Sequence, residues 1–218
     1  MSNICELINV NKSYAKNVVL NNINMTVSKG EMVAITGKSG SGKTTILNII
    51  GLLEKPDSGI VKIFDEEIPR IGSVKANKLL RTRISYLFQN YALIDNSTVN
   101  YNLEIPLIYS NKTKKVKQQM KIVALEKVGL NISLNQKIYE LSGGEQQKIA
   151  LARILLKPCD LILADEPTGS LDSHNRNEIM RILKELNNTG KTIIIVTHDP
   201  YVASICDRTI NLVHKQIV

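Results

Sequence analysis

The stretch that decides the fold reads Gly37-Lys38-Ser39-Gly40-Ser41-Gly42-Lys43-Thr44. It fits the pattern G-x-x-x-x-G-K-S/T, in which glycines let consecutive backbone N–H groups approach a phosphate. The apolar run Met32–Thr36 precedes it and predicts a buried strand, and Thr45–Ile50 can continue a helix. Strand, glycine loop and helix are the context that this pattern requires, and a helix N-terminus adds a positive dipole end. The residues therefore predict a phosphate-binding loop.

Lys43 and Thr44 extend this prediction to a polyphosphate with a metal ion. A cation in the first turn of a helix opposes the macrodipole, which makes sense if a polyanion lies between the two. Thr44 supplies a hydroxyl that can ligate Mg²⁺. The alternative is a flexible glycine–serine loop with a chance lysine, and the agreement of eight positions with both flanks argues against it.

Composition limits the class of protein. A chain of 218 residues suits one large domain, or a domain with a small subdomain, and 43% hydrophobic residues can form a core. The net charge of +8 fits nucleic acid, an anionic membrane surface, a phosphate-rich ligand or simply a solvated lysine surface. Three scattered cysteines (Cys5, Cys159 and Cys206) indicate reduced thiols and no metal site. We expect no signal peptide, and the apolar runs are too short to span a bilayer, so any membrane role requires a partner.

Further runs predict two sheets and several helices. The runs Ile4–Val10, Val18–Val27 and Ile60–Phe64 suggest a small antiparallel sheet beside the nucleotide-binding core. The predicted strands of the core are Met32–Thr36, Ile84–Phe88, Leu161–Glu166, Thr192–Thr197 and Arg208–Val213, and the predicted helices flanking them are Ser73–Arg83 and Ser173–Asn188.

Residues 90–158 change character, because helical periodicity dominates and predicts an inserted helical subdomain. One face of a helix there is predicted to carry the apolar residues Val116, Met120, Val123, Ala124 and Val128. The opposite, solvated face is predicted to carry Lys112, Lys114, Lys115, Lys117 and Lys121. A binding patch is the alternative for these lysines, but stacking aromatics are not interleaved among them.

Leu141–Glu145, with the sequence Leu-Ser-Gly-Gly-Glu, precedes an amphipathic helix in this region. Ser142 and Glu145 have the spacing of a capping box, which is a purely structural explanation. Gly143 and Gly144, however, are costly in a first helical turn. Close approach of a second phosphate to the exposed N–H groups explains them better.

The predicted strand Leu161–Glu166 ends in two carboxylates, Asp165 and Glu166. Because the carboxyl ends of parallel strands face the ligand crevice, Asp165 is predicted to hold Mg²⁺ through water. Glu166 is placed to orient or deprotonate an attacking water. An exposed acidic turn is the alternative, and the lysine and threonine of the phosphate loop argue against it.

Three other polar residues are weak candidates when each is judged alone. Gln89 and His198 each follow a predicted core strand, and they can reach a metal ion, a water or a γ-phosphate at the crevice. Tyr14 could stack on a purine base. The alternative for Gln89 is a polar strand terminator, for His198 an uninvolved loop histidine, and for Tyr14 a surface tyrosine. When each residue is judged by its spacing alone, the alternative is favoured.

Taken together, the motifs resemble those of the ATP-binding-cassette (ABC) ATPases, the nucleotide-binding subunits of ABC transporters. Gly37–Thr44 matches the Walker A motif of this family, Leu161–Asp165 matches Walker B, and Leu141–Glu145 matches the signature motif. The seven-residue run Leu141–Gln147 is the most specific of these matches. The resemblance also assigns Glu166 as the catalytic glutamate, Gln89 to the Q-loop, His198 as the switch histidine, Tyr14 as the adenine-stacking residue and Ser170-Leu171-Asp172 as the D-loop.

The resemblance implies an α/β fold of the P-loop NTPase class, with a mostly parallel core sheet, an N-terminal antiparallel β subdomain and an inserted α-helical subdomain. Residues 1–89 and 159–218 would form the catalytic core with the β subdomain, and residues 90–158 the helical subdomain, within a single domain. ATP and Mg²⁺ are the implied ligands. The implied ATP-binding residues are Tyr14, Gly37, Lys38, Ser39, Gly40, Ser41, Gly42, Lys43, Thr44 and Thr45; the catalytic residues are Glu166, His198, Gln89 and Lys43; and the metal-binding residues are Thr44, Gln89 and Asp165.

Finer resemblance points to bacterial exporters of macrolides, peptides or bacteriocins and to lipoprotein-release systems. It implies a head-to-tail homodimer or a pair with a related subunit, in which Leu141, Ser142, Gly143, Gly144 and Glu145 of one chain close over the ATP of the other. An integral membrane permease would be the further partner, placing the protein in the cytoplasm at the inner face of the membrane. The alternatives are a cell-division or regulatory membrane complex, or a soluble ATPase acting on DNA or ribosomes; no nucleic acid is expected.

Two departures from the family pattern concern coupling rather than hydrolysis. Ser97–Asn102 lacks an expected acidic residue where the chain should face the membrane subunit. Lys148 stands where an arginine is usual and loses the bidentate fork.

Overall fold

A computed structural model describes residues 2–169, 171–213 and 215–217. Its strands are β1 (Asn3–Tyr14), β2 (Asn17–Ser28), β3 (Met32–Gly37), β4 (Ser58–Ile63), β5 (Glu66–Glu67), β6 (Ile84–Leu87), β7 (Leu161–Asp165), β8 (Thr192–Val196), β9 (Arg208–Val213) and β10 (Gln216–Ile217). Its α-helices are α1 (Lys43–Ile50), α2 (Val74–Thr82), α3 (Val99–Glu104), α4 (Lys114–Lys127), α5 (Gly143–Leu155), α6 (Ser173–Asn188) and α7 (Pro200–Ile205). Two short 3₁₀ helices cover Ile105–Leu107 and Ile138–Glu140.

A six-stranded sheet in the order β10-β9-β3-β8-β7-β6 forms the centre of the fold. The pairs β3–β9, β3–β8, β7–β8 and β6–β7 are all parallel, and only β10 runs antiparallel to its neighbour. All five residues of β7 and of β8 are buried, as expected for strands covered on both faces. The predicted core strands are confirmed, except that β6, β7 and β8 each end one residue earlier than predicted, at Leu87, Asp165 and Val196. Because they are parallel, β3, β6, β7 and β8 end at one edge of the sheet, where the site lies.

A second, four-stranded antiparallel sheet has the order β2-β1-β4-β5. Its strands confirm the three predicted N-terminal runs, with β1 and β2 extending further than predicted. The prediction that Phe64 ends a strand is wrong, since β4 ends at Ile63. Phe64 and Asp65 have φ angles of +56° and +65° and turn the chain into β5, a two-residue strand that the sequence pattern is too short to indicate.

Helices α3, α4 and α5 fill the region between β6 and β7, and they correct the predicted faces of α4. Val116 and Val123, predicted to be buried, are 43% and 37% exposed, whereas Lys121, predicted to be solvated, is 4% exposed. The physical reason is a partner on α3, because the Lys121 ammonium forms an ion pair with Glu104 and donates a hydrogen bond to Asn100 Oδ1 at 2.8 Å. The helix is therefore rotated so that a lysine faces the neighbouring helix.

Lys117 joins the same cluster, with its Nζ 3.0 Å from Glu104 Oε1. The prediction that it belongs to a solvated face is also wrong, since 15% of its side chain is exposed. The core face of α4 carries Ala124 and Leu125, with Val128 just beyond the helix end. The spacing of apolar residues alone could not identify this face, because the ion pair between Lys121 and Glu104 occupies part of it.

Helix termini follow the predicted chemistry. Ser142 and Glu145 form the predicted capping box of α5, and Asp172 caps α6 by accepting a hydrogen bond from the Asn175 backbone N–H at 2.9 Å. The buried face of α6 carries Ile179, Ile182, Leu183 and Leu186. Within the described ranges, no helix combines the length and apolarity needed to cross a membrane.

Candidate active site

A cleft of about 700 Å³ opens at the edge of the sheet where β3, β6, β7 and β8 end. Its walls bring together most of the residues that the sequence predicted, namely Tyr14, Gly37, Lys38, Ser39, Gly40, Ser41, Gly42, Lys43, Thr44, Thr45, Gln89, Asp165, Glu166 and His198. Residues 141–145 and 171–172 are not among the described residues that line it. Ser170, the first residue of the predicted D-loop, lies outside the residues that the structure describes.

The phosphate loop joins β3 to α1 with a backbone that requires glycine. Gly42 has a φ of +103°, and a Cβ there would lie 2.7 Å from Leu20 Cδ2 and 2.9 Å from the Val19 carbonyl oxygen. Gly40 has a φ of +74° and opens onto free space. α1 then begins at Lys43, and no described side chain caps its N-terminus. The first-turn N–H groups therefore remain available to a ligand in the cleft.

Two polar side chains of the loop also suit an anion. Lys43 is buried, and its ammonium donates hydrogen bonds to the carbonyl oxygens of Gly37 at 2.9 Å and Lys38 at 3.1 Å. The buried Ser41 hydroxyl has no hydrogen-bond partner among the described residues. A positive charge, an unpaired hydroxyl and an uncapped helix end thus surround one space, and these features fit a polyphosphate.

Thr44 and Asp165 meet beside the loop. The Thr44 hydroxyl donates a hydrogen bond to Asp165 Oδ1 at 3.2 Å. Burial raises the pKa of Asp165; the Thr44 hydrogen bond opposes this, and the neighbouring Glu166 adds to it. A bound cation would offset the cost of burying the charged carboxylate. Hydroxyl and carboxylate oxygens are the ligands that Mg²⁺ prefers. Within residues 2–169, 171–213 and 215–217 there is no cluster of three His, Cys, Asp or Glu residues for a metal, so ligand oxygens would have to complete the shell.

Glu166 and His198 form a second pair in the wall of the cleft. Glu166 Oε1 is 2.9 Å from His198 Nδ1, and Glu166 Oε2 accepts a longer hydrogen bond of 3.4 Å from the His198 backbone N–H. The φ of Glu166 is +44°, an uncommon conformation for a residue with a side chain. Its backbone N–H still donates to the Val196 carbonyl at 2.9 Å, which continues the β7–β8 ladder. Strand pairing therefore places a carboxylate and an imidazole side by side at the cleft.

Tyr14 lies at the end of the cleft next to the antiparallel sheet. The residue is 47% exposed, and its hydroxyl donates a hydrogen bond of 2.5 Å to Glu54 Oε2. Burial, followed by this contact with Glu54, raises the pKa of Tyr14. Sequence reasoning missed Glu54, since it lies 40 residues away in the chain and no motif marks it. The ring is thus anchored at its polar end, and Lys12 Nζ lies over one face, 5.3 Å from the ring centroid.

Gln89 and Thr45 complete the predicted set. Gln89 is exposed, two residues beyond the end of β6, where its side chain lines the cleft. Thr45 is buried in the first turn of α1. The strand and helix positions alone therefore account for where both residues lie.

The start of α5 forms a second exposed helix N-terminus outside the cleft. A Cβ on Gly143 would lie 3.2 Å from the Tyr91 hydroxyl, and one on Gly144 would lie 3.0 Å from the Asn175 side chain. Close packing within the chain thus favours the absence of a side chain at these positions, a contribution that the sequence did not indicate. This packing does not involve the outward-facing N–H groups of α5. Packing within the chain and the approach of a phosphate are therefore compatible explanations of the two glycines.

The described D-loop residues, Leu171 and Asp172, lie directly before α6. Asp172 accepts hydrogen bonds from Asn175, from its backbone N–H at 2.9 Å and its side-chain Nδ2 at 2.6 Å. Leu171 packs against the hydrophobic core. Both residues therefore lie at the start of α6 and not among the residues that line the cleft.

Comparisons with known proteins place this geometry in context. The family model described as ABC transporter matches residues 20–169. The macrolide export ATP-binding/permease protein MacB of Acinetobacter baylyi is 42% identical over 200 residues, which cover 92% of this chain and 30% of that protein. MacB of Salmonella choleraesuis is 40% identical over 222 residues, covering 100% of this chain and 34% of that protein. The chain therefore spans about a third of the length of these curated relatives.

Two solved structures are similar over nearly their full lengths. A dimeric structure of a post-hydrolysis state of the ATP-binding cassette MJ0796, bound to ADP and Pi, has a TM-score of 0.91 and 38% identity, covering 98% of this chain and 96% of that chain. cbiO1 from Clostridium perfringens, part of the ABC transporter complex cbiONQ, has a TM-score of 0.87 and 27% identity, covering 100% of this chain and 88% of that chain.

Proposed function

Because the chain belongs to the ABC transporter family, we propose that it is the ATP-hydrolysing subunit of a bacterial transporter that exports or extracts a peptide, lipoprotein or drug-like substrate through a separate permease. The chain itself is an ABC ATPase that binds ATP. The observation that carries the proposal is the cleft, in which an uncapped helix end, Lys43 and the Glu166–His198 pair surround one space.

Binding follows from the loop and from Tyr14. The N–H groups at the start of α1 and the Lys43 ammonium would hold the phosphates, exchanging the two loop carbonyls that Lys43 now contacts for phosphate oxygens. The Tyr14 ring would stack on the adenine, with Glu54 fixing its hydroxyl end. Thr44, Asp165 (through water) and Gln89 would hold Mg²⁺, which when bound neutralises charge on the phosphate oxygens.

Hydrolysis requires a water aligned with the γ-phosphorus. Glu166 would orient this water and accept its proton as the oxygen–phosphorus bond forms and the bond from phosphorus to the bridging oxygen breaks. The His198 backbone N–H, 3.4 Å from Glu166 Oε2, would help to hold that carboxylate in place, while the imidazole N–H would donate a hydrogen bond to the γ-phosphate. ADP and inorganic phosphate are the products.

We propose that the complete site needs two chains. The signature residues at the start of α5 present a helix N-terminus, yet they do not line the cleft of their own chain within its described residues. A second copy arranged head to tail would bring this helix end to the γ-phosphate of the first. The dimeric form of the similar cassette MJ0796 supports this arrangement. ATP would then join the two chains, and hydrolysis would loosen them.

The permease would contact an apolar groove beside the helical region. This groove of about 670 Å³ is lined by the apolar residues Leu80, Tyr86, Ile105, Pro106, Leu107, Ile108, Tyr109, Met120, Ile154, Leu156 and Pro158. Its charged lining residues, Lys78, Arg81, Lys112, Arg153 and Lys157, are all basic among the residues described. Ile108 and Tyr109 project into solvent, which is costly unless a partner covers them. Contact here would place the protein in the cytoplasm, peripheral to the inner face of the membrane.

The test is the substitution Glu166→Gln, which keeps the side-chain shape and removes the base. We expect nucleotide binding to persist, ATP turnover to fall by about a hundredfold or more, and an ATP-dependent dimer to accumulate in light scattering. Glu126→Gln, at an exposed position of α4, is the matched control and should behave like the parent. Turnover by Glu166→Gln at the parent rate would refute the assignment of the base.

A further inference from the structure

Gln147 is a buried polar side chain for which the proposed function has given no role. It lies in the second turn of α5 and is 1% exposed. Its side-chain Nε2 donates a hydrogen bond of 2.6 Å to the Pro167 carbonyl oxygen, whereas its Oε1 is buried without a hydrogen-bond partner in the described part of the chain. Since a buried amide that is only half satisfied costs stability, the fold alone gives no reason to keep it there.

Pro167 directly follows Glu166, the residue with the uncommon φ of +44°. The Glu166 N–H is held by Val196 of β8 at 2.9 Å, and the Glu166 carbonyl accepts a hydrogen bond from the Gly169 N–H at 3.2 Å. The next carbonyl along the chain is the one that Gln147 holds. A strained residue keeps its conformation only when its surroundings fix it, and Gln147 supplies one of those fixed points from outside the loop.

The first turns of α5 contact the first turns of α6 at two points. Gly144 lies against Asn175, and the Lys148 ammonium is 2.5 Å from Glu178 Oε2. Gln147 follows Gly143 by four residues, which places both on the same face of α5. The side chain that holds the loop after Glu166 is therefore carried by the helix turn that begins with the signature glycines.

We propose that Gln147 is a positioning residue for ATP hydrolysis, linking the signature end of α5 to the backbone conformation of Glu166. Its amide holds the Pro167 carbonyl, and this contact aims the Glu166 carboxylate into the cleft beside His198. The inference rests on the proposed role of Glu166. It adds a route within one chain by which the position of the signature turn, which would face the partner's nucleotide, affects the base at the chain's own nucleotide.

The test compares Gln147→Met, which keeps the side-chain length but removes the donor, with Gln147→Asn, which keeps an amide that is too short to reach Pro167. Because a small misplacement of a reacting group is costly, we expect kcat to fall about tenfold or more in both variants. The Kd for a fluorescent ATP analogue should stay within about twofold of the parent value, since neither Gln147 nor Pro167 lines the cleft. Gln119→Met, at an exposed position of α4, is the control for the substitution itself.

A second measurement separates positioning from general damage. In the Glu166→Gln background, adding Gln147→Met should change the residual single-turnover rate by less than about twofold, because residues that act as a unit are not additive. A further loss as large as in the parent background would overturn the inference, as would a parent-like kcat in both single variants. If the parent chain itself fails to hydrolyse ATP, the proposed function fails instead, so the two failures are distinguishable.

Discussion

The cluster formed by Lys117, Lys121 and Glu104 allows a prediction about the helical region. In Glu104→Ala, the Lys121 ammonium, with 4% of its side chain exposed, loses its ion pair and keeps only the Asn100 amide oxygen at 2.8 Å. In Lys121→Met the buried charge is removed instead, and Glu104 keeps Lys117 at 3.0 Å. The two variants delete opposite ends of one contact, but only the first leaves a charge buried and unpaired.

The expected magnitudes differ accordingly. Breaking a buried pair from one side costs about 3–5 kcal/mol, and replacing a buried charge with an apolar side chain is often nearly neutral. Because 38% of the Glu104 side chain is exposed, water can reach part of the cluster, and we take the lower end, about 3 kcal/mol, for Glu104→Ala. At about 2–4 °C per kcal/mol for a chain of this size, the melting temperature should fall by about 6–12 °C.

The assay is thermal and urea unfolding of the parent, Glu104→Ala, Lys121→Met and the surface control Lys115→Met. We expect Glu104→Ala to be clearly the least stable, and Lys121→Met to lie within about 1.5 kcal/mol of the parent. Lys115 is exposed on the same helix, so Lys115→Met should lie within about 0.5 kcal/mol. A Lys121→Met variant as unstable as Glu104→Ala would refute the reasoning that an unpaired buried charge dominates the cost.

The same cluster predicts a pH dependence. The hydrogen bond donated by Lys121 is the largest influence on Glu104 and, with Lys117, holds its pKa below the ordinary value. A carboxylate with a lowered folded-state pKa contributes stability above its unfolded pKa of about 4.3, and that contribution is lost as the pH falls through the folded value. The stability difference between the parent and Glu104→Ala should therefore be full at neutral pH and shrink in acid. A difference that grows below pH 4 would contradict this sign.

Two further predictions concern the nucleotide. Lys43→Ala should weaken ATP binding by about tenfold or more in calorimetry, because it deletes a charge-assisted contact, and unchanged affinity would remove the basis of the phosphate-loop assignment. Tyr14→Phe should retain ATP affinity within about threefold, since the ring remains, whereas Tyr14→Ala should lose about tenfold. Equal losses in the two Tyr14 variants would show that the hydroxyl, rather than the ring face, contributes to binding.

Local patterns predicted the features whose causes are local. The loop Gly37–Thr44 needs a strand before it and a helix after it, and both are encoded within a few residues on either side. The capping box of Ser142 and Glu145 spans only one helical turn. Likewise, the uninterrupted apolar runs of β7 and β8 predict buried strands, and the residues that follow such strands must lie at the edge of the sheet.

Features that depend on distant partners were wrong or missed. The face of α4 was predicted wrongly because Lys121 is buried against Glu104, 17 positions earlier, and an apolar period ignores such pairs. Neither the contact of Glu54 with Tyr14 nor that of Gln147 with Pro167 has a sequence signal, since each joins residues in different elements. The sequence resemblance suggested the roles of Gln89, His198 and Tyr14, and the fold brings all three to one cleft.

The most direct test of the composite site mixes two variants that are each defective in a different half. Lys43→Ala impairs the phosphate loop and leaves the signature intact. Gly143→Asp places a carboxylate against the partner's phosphates. An Asp in the first turn of a helix is favourable, so α5 should stay folded. The Tyr91 hydroxyl, 3.2 Å from the new Cβ, needs to move only slightly. Each variant alone should hydrolyse ATP poorly.

In an equimolar mixture, half of the dimers would pair the two variants, and each such dimer would contain one complete site from the Gly143→Asp phosphate loop and the Lys43→Ala signature. The ATPase rate of the mixture should therefore exceed the sum of the separate rates severalfold and approach at most about a quarter of the parent rate. A mixture whose rate equals that sum at every protein concentration would contradict a site shared between two chains.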